Sequence, residues 1–160
     1  MIAQKQPDCV LLAGRHHGLS EGIRGLLESA FEVVVMVADE MSLLESAKRL
    51  AAQLAVVDVS LVREDGFGAV RRLREVCPTL KLIVISAHNE ISVSQSALAA
   101  GADGFVLQRA IATDLLSAVD AVRAGQRFVS HSALAQPQLE TCRSPAVSEN
   151  RSTPKTEITR

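Results

Sequence analysis

The sequence predicts a doubly wound α/β domain: a five-stranded parallel sheet with helices on both faces. Three observations carry that expectation. Continuous apolar runs such as Cys9–Ala13, Leu54–Val57 and Leu82–Ile85 lack the polar alternation of a half-solvated strand, so they suit strands covered on both sides. Between them, apolar residues recur at helical spacing with polar residues opposite. The two patterns alternate five times, which is the signature of linked strand–helix units.

The first strand, Cys9–Ala13, ends in a loop over Gly14–Gly18. Leu19, Ile23, Leu26, Leu27 and Ala30 then mark one face of a helix. Phe31–Val37 is the second apolar run, and Ser42 with Glu45 reads as a capping box for a helix whose inner face uses Leu43, Leu44, Ala47, Leu50 and Ala51. Leu54–Asp58 is the third strand. Phe67, Val70, Leu73, Val76 and Cys77 line the next helix, which Pro78 helps to stop. Lys81–Ser86 is the fourth strand. Residues Ile91–Ala100 mix an alternating start with a helix-favouring end and are read as a weak helix. Gly101–Gly104 is a turn, Phe105–Leu107 the fifth strand, and Leu115, Leu116, Val119 and Val122 a last helix with Gly125 at its left-handed cap.

Residues 1–130 thus form one domain, and 131–160, with Pro137, Pro145 and Pro154 among many Ser and Thr, read as a linker or disordered tail. The net charge of −1 supplies no basic field for nucleic acid or an anionic membrane. With no Trp or Tyr and four Phe, base-stacking platforms are not expected. No apolar run has the length of a membrane span. Cys9, Cys77 and Cys142 are scattered without metal-ligand spacing, which suits a reduced cytoplasmic setting.

The segment that points to function is Leu54–Gly66. Asp58 ends a strand buried on both faces, where open α/β sheets bind ligands, and Gly66 follows before a helical pattern. The plain alternative is an Asp that only caps a strand-to-helix turn. His16 and His17 lack a matching pair of metal ligands. His88, Asp58 and Ser86 would suggest a hydrolytic triad, but no nucleophile-elbow motif accompanies them. Gly14, Gly18 and Gly22 do not make a dinucleotide fingerprint.

Five pieces in register carry a resemblance: Leu11-Leu12-Ala13 with His16, Glu21-Gly22-Ile23-Arg24, Asp58 with Asp65-Gly66, Ser86-Ala87, and Gly101–Phe105. Over residues 8–130 the chain resembles a response-regulator receiver domain of the CheY-like superfamily. It is most similar to the nitrate/nitrite-regulator class, whose receivers precede a helix-turn-helix output domain. The resemblance implies a signalling protein of a two-component system, not an enzyme. In such receivers a strand-three Asp accepts a phosphoryl group from a histidine kinase. Two acidic residues after strand one hold Mg²⁺, a strand-four hydroxyl and a strand-five Lys contact the phosphoryl oxygens, and an aromatic residue swings inward.

By that resemblance Asp58 stands at the phosphoacceptor position, with Ser86 and Phe105 at the switch positions. Gly14 and Arg15 stand where the acidic pair is lost, and Gln108 where the lysine is lost. Mg²⁺ binding is therefore expected to be weak or absent, Arg15 to pair with Asp58 in the metal's place, and Asp65 to face solvent. Two functional classes follow. One is a degenerate receiver that signals by protein–protein interaction. The other is a phospho-accepting receiver in a phosphorelay that controls a helix-turn-helix transcription factor. Expected partners are a histidine kinase or another signalling protein, and a second copy meeting Ala112–Ala124 and the Phe105 strand. No nucleic acid is expected to bind this segment, and no membrane.

Overall fold

The computed structural model describes residues 7–62 and 67–130. Strand β1 (Cys9–Ala13) is buried at all five positions because it lies inside the sheet. It pairs in parallel with β2 (Val33–Val37) on one side and β3 (Leu54–Asp58) on the other. Beyond β3 come β4 (Lys81–Ser86), β5 (Gly104–Leu107) and β6 (Phe128–Val129), so the order is β2-β1-β3-β4-β5-β6, parallel throughout.

Strand pleat sends alternate side chains to opposite faces and so builds two cores. Leu11, Ala13, Ala55 and Val57 pack under α2 (Glu40–Leu50), α4 (Gly68–Val76) and α5 (Ile91–Ala99). Val10, Leu12, Leu54 and Val56 pack under α1 (His17–Leu27) and α6 (Ile111–Arg123). The expected doubly wound architecture is the one observed.

The sheet has six strands, not five. Phe128 and Val129 form a two-residue strand that hydrogen-bonds β5, a stretch too short for any periodicity to reveal. Consequently β5 is not a sheet edge. All four of its residues are buried, so the Phe105 strand cannot itself serve as a partner face.

Several local expectations shift for identifiable reasons. α1 begins at His17, inside the stretch read as a loop. α2 is capped by Asp39, whose carboxylate accepts the Ser42 N–H at 2.8 Å, rather than by Ser42 with Glu45. Starting the helix at Glu40 turns Ser46 into the core beside Leu43 and Ala47, while Leu50 is exposed and Ala51 becomes a left-handed cap with φ 49°. Val76 is 40% exposed instead of facing inward. A short helix, α3 (Val59–Val62), follows β3 at once. The uncharged segment 91–99 is helical, and Gly125 takes the left-handed cap at φ 83°. Asp65 and Gly66 lie outside the described residues.

Candidate functional site

The chain leaves β1 toward β2 and leaves β3 toward β4, so the direction of winding reverses between β1 and β3. That reversal opens a crevice at the carboxyl ends of the two strands. Asp58 sits there, 9% exposed and opposite Ile85 of β4. Its Oδ1 accepts the Ser60 N–H at 3.0 Å, a turn closed two residues on that starts α3. The plain capping role is therefore real, and it leaves Oδ2 for the crevice.

Asp58 opens onto a cavity of about 170 Å³ lined with His16, Ser60, Ala87, His88 and Gln108. Gln108 reaches it from a 3₁₀ turn, Gln108–Ala110, directly after β5. The Ser60 hydroxyl is buried and finds no hydrogen-bond partner among the described residues. Ser60 was not singled out from the sequence, although an Asp two residues ahead of a backbone donor is the signal that places it. Among the described residues no three His, Cys, Asp or Glu side chains converge as metal ligands would.

Gly14 extends β1 by one more ladder bond, its N–H donating to Val37 O at 3.1 Å. A Cβ at Gly14 would lie 3.4 Å from Asp58 Cβ and 3.2 Å from Ser20 Oγ. The residue that faces Asp58 is thus the one without a side chain. Arg15, at the bend that follows, lines a neighbouring cleft of about 380 Å³ with Gly14, His17, Ser20, Glu21 and Met36. Among the described residues Asp58 has the Ser60 amide as its hydrogen-bond partner and no ion pair with Arg15. The expected Arg15–Asp58 pair does not form.

Ser86 ends β4 fully buried, and its hydroxyl accepts the His88 N–H at 2.9 Å and lies 3.3 Å from His88 O. It engages the His88 main chain instead of its imidazole, so the Ser86–His88–Asp58 arrangement is not a triad. Phe105 pairs with Val84 in register, has 0% exposure and belongs to the core beneath α2, α4 and α5. The structure brings Asp58, His16, His88 and Gln108 together, sets Ser86 and Phe105 behind them, and leaves Arg15 out of that cavity's lining.

The family model for the response regulator receiver domain matches residues 4–120. Among curated proteins, a putative transcriptional regulator of Pseudomonas aeruginosa is 30% identical over 117 residues, covering 72% of this chain and 56% of that protein. The nitrate/nitrite response regulator protein NarL of Escherichia coli is 27% identical, covering 81% of this chain and 61% of that protein. The crystal structure of the non-phosphorylated receiver domain of the stress response regulator RcsB from Escherichia coli superposes with a TM-score of 0.67. Its identity is 27%, with 78% of this chain and 98% of that one covered. The chain spans about half to three fifths of the length of the curated relatives it matches. No helix among the described residues is long and apolar enough to cross a membrane.

Proposed function

The chain belongs to the response regulator receiver family, and from that premise we propose that it is a degenerate receiver, signalling by protein–protein contact with little or no Mg²⁺-dependent phosphorylation. The observation that carries this reading is the set of side chains around Asp58. Mg²⁺ needs hard oxygen ligands in octahedral array, and phosphoryl transfer is mostly positioning plus neutralisation of charge. Gly14 offers no carboxylate, Arg15 faces another cleft, and Gln108 can hydrogen-bond but carries no charge. Asp58 is the one carboxylate in that lining, and the imidazoles, hydroxyl and carboxamide around it do not complete a Mg²⁺ site, so no step is routed through the metal.

Asp58 is then read as a retained phosphoacceptor position, with Ser86 and Phe105 as retained switch positions. The receiver unit is read as residues 1–130, with 131–160 a linker. Partners would be a histidine kinase or another signalling protein, and a second copy through α6; RcsB is described as dimers bound to DNA.

A second reading keeps phosphate on Asp58 and places the chain in a phosphorelay controlling a helix-turn-helix transcription factor. It is favoured by Asp58 at the crevice and by relatives named as transcriptional regulators. One experiment separates the two. The protein and the triple variant Gly14→Asp, Arg15→Asp, Gln108→Lys are incubated with acetyl phosphate and Mg²⁺, and intact mass is followed. The degenerate reading expects phosphate on the variant and little on the parent. Equal uptake on Asp58 of the parent would overturn it in favour of the phosphorelay.

A further inference from the structure

We propose that Ser130 and Asp114 form a clip that couples the short strand β6 to the end of β5 beside the Asp58 cavity. Ser130 follows β6 and is completely buried. Its hydroxyl accepts the Leu107 N–H at 3.0 Å and donates to Asp114 Oδ2 at 2.8 Å. Its own N–H donates to Phe105 O at 2.9 Å, and the Phe128 N–H donates to Asp103 O at 3.2 Å. Asp114 lies in the first turn of α6, where a carboxylate also complements the helix dipole. Its other oxygen is 3.0 Å from the exposed Thr113 hydroxyl, which also lies 3.1 Å from Ala110 O. A continuous relay therefore runs from the surface at Thr113 through Asp114 and Ser130 to the Leu107 amide. The next residue, Gln108, lines the Asp58 cavity.

The physical basis is that β6 has only two residues and cannot hold itself in place by its ladder alone. The buried hydroxyl uses its lone pair and its proton at once, so removing Asp114 strands a buried donor and removing Ser130 strands the Leu107 amide. Docked and undocked β6 are the two arrangements of the switch, and Ser130 directly precedes residue 131 in the chain. Because coupling free energies are reciprocal, a shift of Leu107 and Gln108 biases β6, and release of β6 biases the cavity wall. The inference holds whether or not Asp58 takes phosphate, so it stands or falls apart from the functional reading above.

The test is amide hydrogen exchange by NMR on the full chain, for Ser130→Ala, Asp114→Ala and Gln108→Lys. The first two should speed exchange of the Leu107, Phe128 and Ser130 amides roughly tenfold and shift Gln108 and Asp58 resonances, leaving β1 amides unchanged. Gln108→Lys leaves the clip residues intact and should change exchange at Ser130 and Phe128 from the cavity side, so it decides the matter if either clip variant fails to fold. If Gln108→Lys leaves those two amides untouched, or the clip variants leave Gln108 in place, the clip is a local anchor and the coupling does not exist.

Discussion

Replacing Arg74 should cost far more stability than a partly exposed arginine ordinarily does. Its side chain is about a quarter exposed (27%), and its guanidinium sits where three chain segments meet. Nη2 donates to Gly101 O and Asp103 Oδ2, both at 2.7 Å, while Nη1 donates to Leu80 O at 2.7 Å and Pro78 O at 2.9 Å. Asp103 Oδ2 also accepts the Leu82 N–H at 3.0 Å, so one network pins the entries to β4 and β5. A simple surface ion pair contributes about 0–1 kcal/mol. Here the partners include carbonyls fixed at strand ends, and hydrogen bonds to charged groups contribute about 1.5–3 kcal/mol each before rehydration of the exposed part is allowed for. Arg74→Ala should therefore destabilise by roughly 2–4 kcal/mol. Arg74→Lys, which cannot fork, should recover less than half. Asp103→Asn combined with Arg74→Ala should show a coupling of about 1 kcal/mol or more. Urea denaturation at constant m-value measures all three. A loss under ~0.5 kcal/mol for Arg74→Ala would refute the reasoning, because it would mean that water serves those carbonyls equally well.

Two further substitutions should stabilise for opposite reasons. Gly22→Ala lies mid-helix in α1, where a Cβ meets nothing within 4 Å, and should gain about 0.5–1 kcal/mol from reduced freedom of the unfolded chain; Ala51→Gly, at the left-handed cap of α2, should gain a similar amount by relieving φ 49°. Thermal melting of each variant checks both, and a fall in midpoint for either removes its rationale. Asp39 titrates with a defined sign: the Ser42 amide, then the Ser42 hydroxyl, hold its carboxyl below the ordinary 3.8. Its capping contribution is therefore present above that value and lost as pH falls through the folded pKa. Asp39→Asn keeps an acceptor but cannot titrate, so the stability difference between parent and variant should shrink on acidification; a difference that stays constant down to that range would show that the charge of Asp39 contributes nothing.

The sequence by itself determined the α/β alternation, because strands covered on both faces must be apolar throughout. Cys9–Ala13, Leu54–Asp58 and Lys81–Ser86 are strands over those bounds. It also determined that Asp58 ends the third strand, since a carboxylate closing an apolar run marks a strand tip. Only the tertiary structure decided what surrounds Asp58. That Gly14 faces it depends on a ladder bond to Val37 O, which comes from another strand. His16, Ser60, His88 and Gln108 come from four separate segments and converge only once the sheet is assembled. Arg74 and Ser130 likewise carry no signal in the sequence that marks their roles. Their partners, Gly101 and Asp103 for one and Leu107 and Asp114 for the other, lie many residues away, and side-chain hydrogen bonds over that separation leave no local periodicity to read. The sixth strand belongs with them: two residues acquire strand geometry from β5, and nothing in Phe128-Val129 alone imposes it.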